Sequence, residues 1–410
     1  MKKIKVGIIG FGNRGSLYAK FIKEQQERAQ LVAVADFRID DITDRLQQYD
    51  IAKKYKNSED LFNDKLDLDL LIISSMDKYH FQECKKAIML GYNVLLEKPI
   101  SVNKEEILEL ERLANEKGVK VVVCHVLRYT IFYKEIKRLI ASGKIGDIVN
   151  INATENVAFW HQAHSFVRGN WHNTKECGPE ILTKCSHDMD IITWLMNKNV
   201  KKISSFGDLY YFKKKNKPID SASRCCLCKL KDECDFNCYK FYLENREWLT
   251  PFIGLDLSDE KIDNFLKTSD FGRCVFDMDN DTVDHQVVNI LFDDATTASL
   301  TMNAFSRYCY RDIKIYGTKA DIIGNFESKI ITINYFDGSK EEIDINKLTS
   351  DFEGHGGGDR IMLNELLDYL QTGKLTSSLT LLHDSVISHL MSLSAEESRI
   401  NEGKVIDLEI

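Results

Sequence analysis

A short apolar segment followed by three regularly spaced glycines is the feature that most constrains this fold. Residues 6–9 form an apolar run, typical of a buried strand, that ends at Gly10-x-Gly12-x-x-Gly15, and a helical pattern follows. In such a unit Gly10 allows a tight turn, Gly12 lets the backbone approach a pyrophosphate, and Gly15 lets the helix pack against the strand. The unpaired N–H groups at the helix N-terminus would then bind the phosphates, whereas the alternative is a tight turn without a ligand. We predict a dinucleotide-binding loop formed by Gly10, Phe11, Gly12, Asn13, Arg14 and Gly15.

A carboxylate at the end of the next apolar run indicates which dinucleotide binds. Residues 31–35 predict a second strand, and Asp36 follows it, 21 residues after Gly15. At this position an acidic side chain bonds a ribose hydroxyl of NAD, and its charge repels the 2′-phosphate of NADP. We therefore predict NAD as the cofactor, and NADP stays an alternative because Arg38 is close by.

The first part of the chain has the pattern of a nucleotide-binding domain. Residues 1–127 alternate strand and helix signals, which predicts a Rossmann-type, doubly wound parallel sheet with helices on both faces. We expect a polar helix at about 40–54. We also expect a helix capped by Ser101, because acidic residues follow in its first turn.

The second part of the chain has a different pattern and predicts an α+β domain spanning 128–410. From residue 148 onward, β-rich runs predict an open, mostly antiparallel sheet. An irregular, cysteine-rich insertion occupies about 208–284, and two helices at about 359–370 and 379–399 come near the end. Loops as long as this insertion are usually functional or held together by a metal.

Composition excludes several classes of partner. At 410 residues the chain is long enough for two domains with their own cores. The net charge of −8 gives no general basic surface, so we expect no nucleic-acid partner. No apolar run approaches the ~20 residues that a membrane span needs, so we expect no membrane partner. The N-terminal apolar run is too short and too interrupted for a secretory signal. Eleven cysteines in a chain of this kind favour a reducing, cytoplasmic location.

Polar residues lie at the ends of two later predicted strands, where open α/β sheets bind their ligands. Ser74, Met76 and His80 lie at and beyond the end of the third strand and are expected to contact the cofactor. Glu97 and Lys98 end the next strand, ahead of a proline. We expect both beside the cofactor, with Lys98 bonding a substrate hydroxyl or relaying a proton. The alternative is that Lys98 is a surface lysine at the edge of the sheet.

A second group of candidate catalytic residues lies at Lys184, His187 and Asp188. These residues are three and four positions apart, so one helix would bring them together. A histidine one turn from a lysine should have a lowered pKa, which suits a general base. We predict that His187 and Lys184 are catalytic; the alternative is a histidine satisfied by a backbone carbonyl.

An aromatic segment at residues 156–173 also contains histidines and amides. Aromatic rings stack on the apolar faces of sugars and fixed donors bond their hydroxyls, so we predict a substrate-binding role. The alternative is an ordinary strand and loop. Our candidate substrate-binding residues, in this segment and beside it, are Arg128, Trp160, His164, Arg168, Trp171 and Asp188.

The cysteines of the insertion predict a metal site. Cys225 and Cys228 have the C-x2-C spacing of a zinc knuckle. Cys234, or alternatively Cys238, would be the third ligand, and Cys274 the fourth. A structural zinc is the first interpretation, and an iron–sulfur cluster or free thiols are the alternatives.

The glycine loop, Asp36, Glu97-Lys98-Pro99, and Gly178 with His187-Asp-Met-Asp190 together resemble the Gfo/Idh/MocA oxidoreductases over nearly the whole chain. The resemblance implies a Rossmann domain followed by an open sheet domain that often forms homo-oligomers, here a dimer or tetramer. It implies reversible hydride transfer between NAD(P) and a sugar, cyclitol or related carbonyl compound, with Lys98 and His187 in the active site. Two rival functions remain: a redox-assisted glycosidase or lyase that regenerates its cofactor, and a non-catalytic cofactor sensor.

One departure from this resemblance concerns the partner of the active-site histidine. Inositol-dehydrogenase-like members carry an aspartate four residues before that histidine, where this chain has Thr183 followed by Lys184. The residue that orients His187 is therefore left open, and so is the substrate.

Overall fold

Two β-sheets, one parallel and one mostly antiparallel, organise the computed structural model, which describes residues 2–408. The strands are β1 (Ile4–Ile9), β2 (Ala29–Ala35), β3 (Lys53–Tyr55), β4 (Leu70–Ile73), β5 (Asn93–Leu96), β6 (Val121–Val123), β7 (Ile148–Ala158), β8 (Val200–Asp208), β9 (His285–Phe292), β10 (Thr297–Ser306), β11 (Tyr310–Gly317), β12 (Ala320–Asn325), β13 (Ile330–Tyr335), β14 (Lys340–Asp344) and β15 (Ile406–Asp407).

Sixteen α-helices are found among the described residues. They are α1 (Asn13–Glu24), α2 (Thr43–Leu46), α3 (Ser58–Asn63), α4 (His80–Met89), α5 (Lys104–Lys117), α6 (Ile131–Ala141), α7 (Phe159–Gln162), α8 (Thr174–Cys177), α9 (Glu180–Thr183), α10 (Ser186–Met196), α11 (Cys238–Glu244), α12 (Thr250–Ile253), α13 (Asp259–Thr268), α14 (Glu353–Gly356), α15 (Gly358–Thr372) and α16 (Leu382–Ile400). No helix within residues 2–408 has both the length and the apolar character to cross a bilayer.

The first sheet is parallel throughout and has the strand order β3-β2-β1-β4-β5-β6. Strands such as β4 are buried on both faces, which explains their uninterrupted apolar sequence. The order reverses between β1 and β4, and the crevice beyond the carboxyl ends of such strands is where this class of sheet binds ligands. Gly10 and Ser74 lie at this crevice, directly after those two strands.

Two local predictions in this half of the chain are wrong. The helix expected at about 40–54 is reduced to the single turn of α2, and the edge strand β3 takes its last residues. The helix α5 is capped by Asn103, whose side chain accepts a hydrogen bond from the backbone N–H of Glu106, whereas Ser101 bonds the Glu106 carboxylate instead. In both places a contact with another residue or strand determines the local structure, although the local sequence pattern favours a different one.

The second sheet has nine strands in the order β14-β13-β12-β11-β7-β10-β9-β8-β15. Every neighbouring pair is antiparallel except β7 and β10, which are parallel. Helices α10 and α16 pack together beneath it, and its inner face shares a hydrophobic core with the first sheet. Helix α15 instead packs its apolar face on the first sheet, through residues such as Met362 and Leu366. The predicted fold class is confirmed.

The insertion at 208–284 is more regular than expected. It contains α11, α12 and α13, and it has its own small core around Tyr242, Ile262 and Phe271. These helices have 7, 4 and 10 residues, so no long periodic run marks them in the sequence.

Candidate functional site

The glycine loop after β1 has the geometry of a cradle for a diphosphate. Gly10 has a φ of +83°, and a Cβ there would lie 2.5 Å from the Ser74 carbonyl oxygen. A Cβ at Gly15 would lie 2.0 Å from the Gly10 carbonyl oxygen, so helix α1 can approach β1 only because this side chain is missing. A Cβ at Gly12 would meet nothing within 4 Å. The loop is therefore packed closely at Gly10 and Gly15 and open at Gly12.

The start of helix α1 leaves donors free for an anion. The helix begins at Asn13 with Gly12 as its N-cap, and no side chain caps it. The first N–H groups of a helix lack intrahelical partners and sit at the positive end of its dipole. The open side of Gly12 and these free N–H groups together fit the diphosphate of a dinucleotide.

Asp36 at the end of β2 is tied to this loop. Its carboxylate accepts hydrogen bonds from the backbone N–H of Phe11 at 2.7 Å and of Arg38 at 2.8 Å. The guanidinium of Arg38 donates to the Pro251 carbonyl oxygen of the insertion, and its Nε lies 3.8 Å from the Asp36 carboxylate. The carboxylate is therefore held in place beside the loop, with an arginine next to it.

Arg14 and Glu97 lie behind the loop rather than in its mouth. Arg14 forms an ion pair with Glu97 and donates to Asp359 of α15 at 2.6 Å. Burial by itself would raise the pKa of Glu97, but the charge of Arg14 and the hydrogen bonds from Tyr18 and Arg14 together outweigh burial and hold that pKa below its ordinary value. Both residues were predicted to contact the cofactor; the structure places them in a buried ionic cluster that joins the loop to β5 and α15.

The three residues at the end of β4 link neighbouring loops. Ser74 donates to the Gly10 carbonyl oxygen at 2.8 Å. The ring nitrogens of His80 lie 2.7 Å from the Pro99 carbonyl oxygen and 3.1 Å from that of Ser75. Met76 contacts the side-chain amide of Asn170 across the crevice. Met76 is thus at the crevice itself, whereas Ser74 and His80 fix the backbone around it.

Lys98 reaches from the end of β5 into the second half of the chain. Its ammonium group donates to the Thr183 carbonyl oxygen at the end of α9. Burial lowers the pKa of Lys98, the charge of Lys184 lowers it further, and Asp77 opposes both. Asp77 in turn accepts a hydrogen bond from the indole of Trp171 at 2.9 Å. Lys98, Asp77 and Trp171 therefore form one polar group at the crevice.

His187 lies in the first turn of α10, next to this group. Burial lowers its pKa well below the ordinary value, with Lys98 and then His125 as the next causes. Its ring centroid is 5.7 Å from that of His125 and 6.0 Å from that of His355. Among the described residues its Nδ1 atom has no hydrogen-bond partner. His187 is thus a neutral imidazole with a free nitrogen.

Lys184 does not share a continuous helix with His187. Helix α9 ends at Thr183 and α10 begins at Ser186, so Lys184 lies at the break between them. The expectation that Lys184 lowers the pKa of His187 is wrong, because burial is the main cause and the neighbouring lysine is Lys98. Lys184 instead lies 3.3 Å from the carboxylate of Glu155 on β7.

An ionic network surrounds the break between the two helices. Arg311 on β11 lies 2.7 Å from Glu155 and 2.9 Å from Asp188. Burial raises the pKa of Asp188 to about 6, and Arg311 opposes that shift. Asp188, a predicted substrate contact, is therefore close to His187 but already engaged by an arginine.

Four of the predicted substrate-binding residues lie away from Lys98 and His187. Arg128 forms a buried, bidentate ion pair with Asp190, both bonds being 2.6 Å. Trp160 stacks on Phe241 of the insertion. His164 is buried beside Tyr242, with 2.6 Å between its Nδ1 and the hydroxyl oxygen. The fourth, Arg168, is bound to backbone carbonyls of the insertion. The aromatic segment therefore packs against the insertion through Trp160, His164 and Arg168. Of the predicted substrate-binding residues, only Trp171 and Asp188 lie at the crevice.

The cysteines of the insertion do not form a zinc site. All eleven cysteines are free thiols. Within residues 2–408, no three side chains of histidine, cysteine, aspartate or glutamate converge as ligands of one ion. A zinc ion needs its sulfur ligands at about 2.3 Å from a single centre, so the structure does not support structural zinc.

Several polar residues at the crevice were not among the predicted ones. They are Asp77, His125, Glu155, His161, Arg311 and His355. Asp77 could have been found, because it lies in the same strand-end loop as Met76. Glu155 and Arg311 carry no local signal, since they meet only through the pairing of β7 with β11.

The parallel sheet, the open glycine loop and the tethered carboxylate define an NAD-binding oxidoreductase of Rossmann fold. Residues 4–125 match a family described as "Oxidoreductase family, NAD-binding Rossmann fold", and residues 137–388 match its "C-terminal alpha/beta domain". The chain belongs to the Gfo/Idh/MocA oxidoreductase family.

Individual relatives are distant. A Bacillus subtilis protein named "Putative oxidoreductase YteT" is 25% identical over 75% of both chains. Inositol 2-dehydrogenase of Salmonella typhimurium is 27% identical, and the match spans 50% of this chain and 57% of that enzyme, so only about half of each protein is compared. The solved structure of a levoglucosan dehydrogenase in complex with NADH and levoglucosan superposes with a TM-score of 0.75 over the whole of both chains, at 14% identity, which shows the shared fold.

Proposed function

We propose that this protein transfers a hydride reversibly between NAD and a secondary alcohol or ketone of a sugar or cyclitol. The observation that carries the proposal is the meeting of Lys98 and His187 at the crevice beyond the parallel strands. Lys98 comes from the end of β5 and bonds the carbonyl oxygen four residues before His187. Burial lowers the pKa of both groups, which brings that of Lys98 closer to neutral pH and keeps His187 uncharged, as a base must be before it takes a proton.

Each side chain in this group has a role that follows from its surroundings. Neutral His187 takes the proton of the substrate hydroxyl, because one ring nitrogen is unpartnered and the imidazole is held uncharged. Lys98 bonds the same oxygen and stabilises the charge that develops on it. Bound NAD supplies the carbon that accepts the hydride. His355, partly exposed beside His187, is placed to pass the proton to solvent.

The surrounding ionic network is proposed to orient the substrate and the histidine. Lys184, held by Glu155, adds a positive charge near the reacting oxygen and is the third catalytic residue. Asp188 and Trp171 are the proposed substrate contacts, because they are the two predicted residues next to Lys98 and His187. Arg311 holds Asp188 in place through an ion pair of 2.9 Å.

The cofactor site favours NAD over NADP. Asp36 is a buried carboxylate tied to the loop, so a 2′-phosphate would be placed beside a negative charge. Arg38 lies 3.8 Å from the same carboxylate and donates its hydrogen bond to Pro251, so it offsets that charge only in part. We expect a preference for NAD of about tenfold, which corresponds to about 1.4 kcal/mol.

The substrate class follows from chemistry shared with relatives. One relative is named an inositol 2-dehydrogenase, and a structural neighbour is a levoglucosan dehydrogenase. Both act on ring compounds with several hydroxyl groups. We propose a polyhydroxylated ring with a secondary alcohol, and a panel of sugars and cyclitols assayed for NADH formation would identify it.

The Lys98→Met variant tests the proposal. Methionine keeps most of the volume and removes the charge, so NAD affinity should stay within about threefold while kcat falls by about 100-fold or more. Lys104→Met is the matched control, because Lys104 is an exposed residue at the start of α5. Turnover of Lys98→Met within about threefold of the parent enzyme would refute the assignment.

The same assay separates the rival functions. A redox-assisted lyase would consume substrate without net NADH, and a cofactor sensor would bind NAD without turnover of any substrate. The parent enzyme should instead form one NADH for each substrate molecule oxidised.

The remaining expectations concern assembly and location. We propose a homo-oligomer, a dimer or tetramer, formed through the outer face of the nine-stranded sheet, where Val287, Phe305 and Ile323 expose about 40% of their surface. Light scattering of the purified protein would show a monomer if this is wrong. Eleven free thiols favour a reducing, cytoplasmic location.

A further inference from the structure

Four cysteines from two distant segments face a single cavity in the insertion. The cavity has a volume of about 260 Å³, and its lining includes Cys225, Cys228, Cys234 and Cys274. The first three lie in one segment with the spacing C-x2-C-x5-C, and the fourth is brought to them by backbone pairing of Arg224 with Arg273. The remaining cysteines of the insertion, Cys226 and Cys238, are not part of the lining.

The backbone around these thiols is arranged to stabilise sulfur ligands. The N–H group of Phe236 lies near the thiol of Cys234, and that of Phe276 lies near the thiol of Cys274. Tight turns follow Cys225 and Cys234, since the N–H of Cys228 donates to the Cys225 carbonyl oxygen and that of Asn237 to the Cys234 carbonyl oxygen, each at 3.2 Å. Backbone N–H groups close to ligand sulfurs suit an iron–sulfur site, where hydrogen bonds to the sulfurs tune the cluster.

Arg168 supplies a buried positive charge at the same cavity. Its guanidinium lies 3.6 Å from the sulfur of Cys225. Two further bonds of 2.8 Å, to the carbonyl oxygens of Arg273 and Phe236, hold it in place. A set of thiolates carries a large negative charge, and a fixed arginine lowers the cost of bringing it together.

The separation of the four thiols suits a cluster better than a single ion. One zinc ion would draw all four sulfurs to about 2.3 Å from one point, and no such convergence exists among residues 2–408. In a cubane cluster each cysteine binds a different iron, so the four sulfurs surround a larger space. A cavity lined by four cysteines matches this arrangement.

We propose that Cys225, Cys228, Cys234 and Cys274 bind a 4Fe–4S cluster. Each thiol gives up its proton when its sulfur bonds an iron, and four sulfur ligands complete the coordination of the cluster. The cluster fastens the cysteine-rich segment to residue 274 and, through Arg168, to the segment that carries Trp171. Its role is therefore to brace the insertion, whose other side meets the cofactor domain at Pro251.

The test is the iron and acid-labile sulfide content of the full-length protein. Protein purified without oxygen, or reconstituted anaerobically with ferric iron, a thiol reductant and sulfide, should contain about four irons and about four sulfides per chain. It should also give an electron paramagnetic resonance signal after reduction. About one zinc per chain with little iron, or no bound metal after reconstitution, would overturn the proposal.

Two classes of variant decide which cysteines are ligands. Cys228→Ser and Cys274→Ser should each lose at least half of the iron, whereas the adjacent control Cys226→Ser should keep it. NAD binding and the circular dichroism spectrum of each variant report whether the chain is still folded. Equal iron content in Cys228→Ser and Cys226→Ser would overturn the assignment, and so would loss of iron in Cys226→Ser.

Discussion

Substitution by alanine should have different effects at the second and third glycines of the cofactor loop, Gly12 and Gly15. In Gly15→Ala the new Cβ would lie 2.0 Å from the Gly10 carbonyl oxygen and 2.9 Å from the Ser74 hydroxyl, so β1 and α1 must separate. In Gly12→Ala the new Cβ would meet no protein atom within 4 Å, and the φ of −73° suits any residue. Only the first change disturbs the protein itself.

The sizes of the two effects follow from these contacts. Forcing a methyl group into a packed site costs about 1–3 kcal/mol, so Gly15→Ala should melt several degrees lower than the parent. Gly12→Ala should keep its melting temperature, because alanine also restricts the unfolded chain. Its methyl group fills the open side of the loop, however, and displaces the diphosphate from N–H donors worth about 1.5–3 kcal/mol. NAD affinity should therefore fall by about 10- to 150-fold.

The assay is a pair of measurements on each variant: thermal unfolding without cofactor and calorimetric titration with NAD. Gly15→Ala should lose both stability and affinity, and Gly12→Ala should lose affinity alone. Unchanged NAD affinity in Gly12→Ala would refute the cradle geometry. A melting temperature that falls equally in both variants would refute the packing argument.

Two further predictions concern buried charge. Arg128→Met leaves Asp190 buried without its partner and should lower the free energy of unfolding, measured with denaturant, by about 3–5 kcal/mol. The double variant Arg128→Met, Asp190→Leu should recover most of that loss. Equal destabilisation of the single and double variants would contradict this prediction. Burial lowers the pKa of His389 to about 3 from its ordinary value of 6.5, so below pH 6.5 the unfolded chain binds a proton that the folded chain does not. This group should lower the free energy of unfolding by about 1.4 kcal/mol per pH unit between pH 6.5 and about pH 3, and His389→Gln should remove that part of the slope.

The parts of the site that could be predicted are those determined by adjacent residues. The glycine loop, Asp36 and Lys98 each follow a strand directly, so their position at the carboxyl edge of the sheet is determined once the strand is recognised. Residue spacing did not predict their partners. Glu97 and Arg14 were expected to face the cofactor, and the structure instead pairs them with each other and with Asp359 from α15.

The parts that could not be predicted depend on contacts between distant segments. The aromatic segment around Trp160 and His164 has the composition of a sugar site, but the same side chains also suit a hydrophobic core. Their partners, Tyr242 and Phe241, come from the insertion. Arg311 reaches Glu155 only because β11 pairs with β7. No local pattern marks either contact.

The most direct test of the whole account is a crystal structure of this protein soaked with NAD. The account predicts a dinucleotide whose diphosphate rests on the N–H groups at the start of α1, with its ribose at Asp36 and its nicotinamide ring facing Lys98 and His187. An empty crevice at saturating NAD, or a dinucleotide bound elsewhere on the chain, would contradict it.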